Sequence, residues 1–528
     1  AAASTPDSQL TTGSVTPDTD LRAFLGASSV VAPATVASVV EAYYRDNGEF
    51  IWVEHGAVNE RAKAALSVLK GAGSYGLDPA DYAVSEPTLT GEEQADAQAL
   101  TAFEVALSAR VLTYVEDAQR GRIDPNRISG YHDFQRKQVN LAPVLKMVKA
   151  SPDVAAYLES RQPNSAQFNA LKAELARLEG DNGEGHHIAI NLSKALKPGD
   201  TSEEVANIVA AIRHRGSESL KTKHAETLAA YAGAPEYSPD IAGLVKDFQQ
   251  DVGLKPDGII GSATVRALVG ETSAAKVDKV IVAMEQARWL PNDLGSRYVF
   301  INQPAFTATY VNESRSQFSM RVVVGSKTNQ TYFFQDEIET VEVNPYWGVP
   351  QSIIINEMLP KLRSDPSYLD RMGYQVAVNG KAVPSSSVNW YGSTNSVSVR
   401  QPPSSDNALG ELKILFPNSH AIYMHDTPSK SFFKKDMRAL SHGCVRLSEP
   451  RRMAAAVLGT TEEDVGRQIA AGQNKALRVP AKIPVYVSYF TAWPDDAGTV
   501  HFYDDVYGRD DYVKKAFAAT SKVRVAAN

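Results

Sequence analysis

The spacing of apolar residues changes at Trp289, and the change divides the chain into a helical part and a part that is mainly strands. Up to Trp289 the segments Glu60 to Ala72, Leu100 to Ala118 and Val277 to Trp289 set Ala, Leu and Val three to four positions apart, which gathers them on one helical stripe. Beyond Trp289 the period falls to two. Tyr298 to Asn302, Thr307 to Val311, Phe318 to Val324, Val341 to Asn344, Leu412 to Phe416, Ile422 to His425 and Val485 to Phe490 are rich in Val, Ile, Tyr and Phe and are predicted strands. A chain of 528 residues that is 43% hydrophobic can bury several cores, and its length implies roughly three or four domains.

The first thirty residues, rich in Ser, Thr, Ala and Asp, cannot bury enough apolar surface to offset ordering entropy and are expected to be a flexible tail. A helical scaffold domain is expected over 31–195, punctuated by turns at Gly-Leu-Asp-Pro 76–79 and Gly-Arg-Ile-Asp-Pro 121–125. Over 196–270 two helical patterns recur. Thr201 and Glu204 suggest a capping box ahead of Val205, Ile208, Val209 and Ile212, and Ile241, Leu244, Val245 and Phe248 repeat that spacing. Phe248-Gln249, Asp257-Gly258-Ile259 and Gly261 resemble the small three-helix peptidoglycan-binding module. The mainly β part is expected over 277–490, interrupted at 352–395 by a helical pattern (Ile355, Met358, Leu359, Leu362) and a loop-rich stretch around Pro384 to Ser387. An insertion of that length in a sheet domain is more often a functional lid than an idle loop. Residues 491–528 form a C-terminal extension. The expected fold class is therefore multidomain α+β.

The formal charge of −7, from 54 basic and 61 acidic residues, comes with no basic run, which disfavours nucleic acid as a partner. No apolar stretch is long enough to span a bilayer, and the opening AAASTPDSQL lacks the charged and apolar regions of a signal peptide. A single cysteine rules out an internal disulfide framework, and such scarcity fits an exported protein.

That cysteine lies in Ser441-His-Gly-Cys444-Val-Arg446-Leu, just after Tyr423-Met-His425-Asp-Thr-Pro, so three of ten histidines, His420, His425 and His442, crowd around it. A thiol becomes a strong nucleophile as a thiolate, and an imidazole, a positive charge or a helix N-terminus lowers its pKa. All three are at hand: His425 ends a predicted strand, Arg446 lies two residues on, and Ser448-Glu-Pro450 reads as a helix start. Gly443 permits a tight turn, and amides near Cys444 could face an oxyanion. His442 either takes part directly or positions the loop. Zn²⁺ bound by His420, His425, His442 and Cys444 is the competing reading, but neither a His-Glu-x-x-His helix nor paired Cys-x-x-Cys knuckles accompany them.

Together with Arg288-Trp-Leu-Pro, Asn344-Pro-Tyr-Trp-Gly-Val-Pro350 and Phe416 to Pro428, these residues resemble the L,D-transpeptidase signature, in its large multidomain branch. The resemblance implies Cys444 as nucleophile and His425 as base, with Gly443 or His442 supporting them. It implies Tyr423 and Arg446 beside the acyl-donor site, Trp347 in its wall and Ser441 among the substrate-binding residues. Many smaller members carry Asn where Arg446 stands, which leaves the task of Arg446 open. The implied reaction forms a thioester with a peptidoglycan tetrapeptide stem, releases D-Ala and passes the acyl group to an amine to give a 3-to-3 crosslink, without a cofactor or metal. The resemblance further implies a monomer in the periplasm, acylated by carbapenems. Anchoring of an outer-membrane protein, trimming of stems, and a non-catalytic wall-binding scaffold are the alternatives.

Overall fold

The computed structural model describes residues 30–47, 49–180 and 188–526, so the expected tail lies, save Val30, outside the described residues. The N-terminal region is helical around one long spine, Glu93–Arg120, most of which is buried. Val36 and Val40 of helix Ala34–Asn47 and Leu66 and Leu69 of helix Glu60–Lys70 pack into the same core. Asn59 starts the second of these by accepting from the Ala62 amide at 2.9 Å. A two-residue hairpin, β1 (Val53–Glu54) and β2 (Ala57–Val58), stands beside it. Glu104 on the spine accepts from the Trp52 amide at 2.8 Å and the Tyr44 hydroxyl at 2.7 Å, and burial pushes its carboxyl up to about 7.

The next unit holds helices Glu204–Arg215, Glu218–Lys223, Ala225–Ala230, Pro239–Asp251 and Ser262–Val269. Both apolar stripes read from the sequence share one core. The expected capping box does not form: Glu203 takes the N-cap place without a side-chain bond, and Thr201 bridges to Glu236 instead. Two short helices exceed the expected three, because Ser217 accepts from the Leu220 amide at 3.1 Å and opens a new helix just past Gly216. The Gln249 amide explains the motif around it. It accepts from Gly258 N at 2.8 Å and donates to the Ile259 carbonyl and Thr264 Oγ1, both at 3.0 Å, fastening the turn to the helix.

In the C-terminal half β3 (His132–Asp133), contributed by the N-terminal region, flanks a sheet built from β4 (Tyr298–Asn302), β5 (Thr307–Asn312), β6 (Arg315–Gly325) and β7 (Phe333–Val343). β8 (Trp347–Gly348), β9 (Gln375–Val378), β10 (Lys381–Val383) and β11 (Val397–Gln401) form a separate four-stranded sheet. β12 (Leu412–Leu415), β13 (Met424–His425), β14 (Ala439–Ser441), β15 (Val445–Leu447) and β16 (Lys475–Ser488) return to the main sheet. Its order β12-β13-β15-β6-β5-β4-β16-β7 closes on itself, since β12 pairs with β7 as well as β13. A closed sheet leaves few free edges and fills its interior with alternate side chains: Val322, Val341, Ile414, Met424, Val445 and Val485 are all 0% exposed. Helices Ala166–Gly180 and Ser273–Trp289 pack on this core. A hairpin of β17 (Ala492–Pro494) and β18 (Val500–Phe502) and the helix Arg509–Ala526 complete the chain.

The inserted unit is larger and more sheet-like than expected. Its core runs from Val349 to Val399, so the strands that frame it lie outside 352–395. In its helical part Ile353, Ile354, Met358, Leu359 and Leu362 face inward while Ile355 is 47% exposed, one position off the expected stripe. Residues Ile354–Met358 form a π-turn, the widened geometry that shifts the stripe.

Candidate active site

Three strands of the closed sheet set the site. β12 and β13 are antiparallel with Lys413 opposite His425, and β13 and β15 are parallel with His425 opposite Arg446. Because alternate residues of a strand face opposite sides, these three polar side chains share the face opposite the core residues Ile414, Met424 and Val445. The Val445 amide donates to the Tyr423 carbonyl at 3.0 Å, which puts Cys444, at the foot of β15, level with Tyr423. The Tyr423 ring meets the His425 ring edge-on at 5.7 Å. Lys413, which sequence reasoning missed, pairs with Glu342 at 3.1 Å and lies over the Tyr423 ring at 5.7 Å. The one available signal was a lysine between the apolar residues of a strand.

His425 is 4% exposed, and its Nδ1 bonds to the Asp426 carbonyl. A carbonyl can only accept, so the ring proton sits on Nδ1 and the lone pair on Nε2 is the basic one. Burial, then the positive charge of Arg446, depress the imidazole from 6.5 to about 3, although the Asp426 bond opposes this. The Cys444 thiol donates to the Ala421 carbonyl at 3.4 Å. Burial pushes the thiol up to about 11, with Arg446 and Lys413 pulling the other way. The sequence led to the opposite expectation, a thiol lowered by imidazole and cation. The cations are present, but loss of water outweighs them, and in this state thiol and imidazole are both neutral.

The turn that bears Cys444 is held from below. Gly443 has φ 116°, a conformation that L side chains rarely adopt, and its amide donates to Ser441 Oγ at 3.1 Å. Ser441, expected among the substrate-binding residues, is 2% exposed and braces the turn by donating to the Cys444 carbonyl at 2.6 Å. Thr331 Oγ1 donates to the Gly443 carbonyl at 2.7 Å and accepts from Gly325 N at 2.9 Å. A side chain at Gly325 would meet the Asn329 carbonyl at 2.1 Å, so only glycine allows this closeness. Beneath it, Arg509 donates to Gln330 Oε1 at 3.0 Å and the Thr331 carbonyl at 2.6 Å. No local motif could have linked Arg509 to a turn 65 residues earlier.

The remaining histidines have separate partners. His442 Nε2 stands 2.8 Å from Glu357 on the inserted unit, and His420 Nε2 stands 2.6 Å from Asp133 with its ring stacked on Tyr332 at 3.7 Å. No group of three ligating side chains able to hold a metal occurs among the described residues. Trp347 lies on β8 and packs against the core of the inserted unit. Arg446 stacks over Phe432 at 5.7 Å, and its Nε is buried without a hydrogen-bond partner.

Residues 296–480 match the model of the L,D-transpeptidase catalytic domain. This unit belongs to the L,D-transpeptidase family. Residues 37–175 of the chain that carries the transpeptidase domain match a scaffold domain, and 230–268 match a "Putative peptidoglycan binding domain". A Haemophilus influenzae protein described as "Putative L,D-transpeptidase" is 32% identical over 223 residues, which cover 41% of this chain and 45% of that relative. The match thus spans less than half the length of the curated relative. Among solved structures, an L,D-transpeptidase from Xylanimonas cellulosilytica overlaps 56% of this chain and 98% of its own at 14% identity and a TM-score of 0.18. The Ldtfm-avibactam carbamoyl enzyme overlaps 36% of this chain and 48% of its own at 10% identity and the same TM-score of 0.18.

Proposed function

We propose that the chain is a cysteine-dependent L,D-transpeptidase of peptidoglycan, acting outside the cytoplasm on tetrapeptide stems. The observation that carries this reading is the parallel register of β13 and β15, which sets His425 beside Arg446 with Cys444 at the foot of the same strand. Cys444 Sγ attacks the carbonyl of the third stem residue while its proton passes to His425 Nε2. The C–N bond then breaks, D-Ala leaves with that proton, and a thioester remains. The amine of a second stem attacks the thioester and gives its proton to His425. The C–S bond breaks, the proton returns to sulfur, and a 3-to-3 crosslink is released.

The neutral resting pair gives the substrate a defined task. With the thiol held up and the imidazole held down, an ion pair does not form in advance, so proton transfer accompanies attack on the carbonyl. The Cys444 amide, next to the engaged Gly443 amide, is the turn's donor for the oxyanion. Arg446, with its unpaired Nε, receives the carboxylate of the terminal D-Ala. Tyr423 flanks the donor site, and Trp347 at the entrance to the insertion adds to its wall. The inserted unit, touching the turn through Glu357 and His442, is the lid that excludes water from the thioester.

The test is intact-protein mass spectrometry with a defined disaccharide tetrapeptide and, separately, a carbapenem. Wild type gains an acyl mass, Cys444→Ala gains none, and His425→Ala acylates about 10²- to 10⁴-fold more slowly. An adduct that persists in Cys444→Ala, or one that forms at full rate in His425→Ala, refutes the assignment.

A further inference from the structure

A cavity of about 700 Å³ lies between the peptidoglycan-binding unit and the transpeptidase domain, away from the residues of the thiol site. From the binding unit it is lined by Arg215, Arg266 and Val252, and from the transpeptidase side by Lys276, Phe502 and Met437, among others. Val252 and Met437 are 44% and 45% exposed, large apolar side chains left in water on facing units. Arg215 is exposed, and its guanidinium lies against Gly270 so closely that a side chain there would meet it at 2.0 Å. The Lys276 ammonium sits over the Phe502 ring at 5.1 Å. Arg266 reaches across the cleft to Asp504 at 3.5 Å, an exposed pair that ligand can displace cheaply.

Such a wall, apolar patches and an aromatic ring set among guanidinium groups and the carboxylates of Glu271, Asp436 and Asp504, suits a chain of acetylated sugars, whose hydroxyls and amides meet both donors and acceptors. Its position matters as much as its chemistry. Met437 and Arg438 lead straight into β14 and the turn that bears Cys444. Cys444 lies six positions beyond Arg438, and at ~3.3–3.6 Å per residue those six steps span at most roughly 20 Å. A stem peptide extended to its third residue covers on the order of 10 Å by the same rule, before its link to the sugar is added.

We propose that this groove seats the glycan backbone of peptidoglycan, so that the binding unit and the transpeptidase domain grip one strand and present its stem to the thiol. This rests on the transpeptidase reading above. The test uses the full chain carrying Arg215→Glu and Met437→Glu together, with Arg266→Ala as a milder probe and Lys221→Glu, a half-buried lysine elsewhere on the binding unit, as the charge control. Sedimentation with purified sacculi should fall by about fivefold or more in the double variant and less in Arg266→Ala. The advantage in KM of a glycan-bearing stem over the same tetrapeptide without sugars should shrink in parallel. Unchanged sedimentation of a folded double variant overturns the groove, as does an equal loss in Lys221→Glu. Failure of wild type to form any Cys444 adduct refutes the transpeptidase reading instead, and leaves the sedimentation result to decide the groove on its own.

Discussion

Two of the places where this molecule buries charge treat it in opposite ways. At the seam between the N-terminal helices and the C-terminal helix, Asp81 meets Arg122 at 2.6 Å and Arg524 at 3.0 Å, while Asp117 meets Arg524 and the Tyr82 hydroxyl, each at 2.6 Å. There Arg122 and Arg524 each have a carboxylate. At the thiol, Lys413 has Glu342, but no carboxylate pairs with Arg446 among the described residues, and its Nε is left without a partner. The comparison separates two uses of burial. Cations matched by carboxylates give a seam that tolerates dehydration, although Asp81 Oδ1 lacks a partner of its own, whereas a cation without a carboxylate leaves an electrostatic demand that a bound anion satisfies.

Breaking the seam should have the largest effect on stability. Asp117→Ala leaves Arg524 only Asp81, which it shares with Arg122, and is expected to cost about 3–5 kcal/mol in urea unfolding, whereas Asp117→Leu with Arg524→Leu costs much less because no surplus cation remains. A double variant as unstable as the single one would show that the seam stabilises by more than mutual neutralisation.

Next in size is a pH effect from two buried imidazoles, only one of them at the thiol. His425 and His132 both have folded values near 3, held down mainly by burial, against 6.5 when unfolded. A depressed folded value means that the unfolded chain binds the extra proton, so this stability is complete above about pH 6.5 and is lost as pH falls toward 3. Between pH 7 and 5.5 each group should remove about 1 kcal/mol. His425→Gln should flatten its share of that slope in denaturant titrations at the two pH values. An unchanged slope would contradict the buried, neutral imidazole.

Smaller effects should sharpen the contrast at the thiol. Alkylation of wild-type Cys444 by iodoacetamide should inflect above the ordinary thiol value of 9.0, toward about 11. Lys413→Met removes a cation that stabilises the thiolate and should slow alkylation at pH 8 by a few fold. A faster reaction would reverse the sign assigned to Lys413. Thr331→Val removes the bond to the Gly443 carbonyl and should lower kcat several-fold with KM little changed, while Thr331→Ser restores it. A fall in thermal stability without that kcat loss would make Thr331 merely structural.

The sequence made some layers legible and hid others for physical reasons. The change of period at Trp289 marks where helices give way to strands because it records which faces are buried. Gly443 and the crowding around Cys444 were visible because a tight turn and its chemistry are local. Lys413 and Arg509 were not, since what joins them to the site is strand register and a fold-back over dozens of residues. The thiol's direction of shift was misread for a related reason: spacing displays neighbouring charges, whereas water exclusion depends on what the whole fold places over them.

The segment that closes the seam also underlies the catalytic turn. Arg524 reaches Asp81 and Asp117, and Arg509, fifteen residues before it, supports Thr331 and through it Gly443. A ribosome therefore finishes Cys444 and His425 dozens of residues before it makes the piece that steadies their turn. During synthesis, Cys444 rides on a turn whose floor has not yet been laid, so that turn gains its support only when the C-terminal helix arrives.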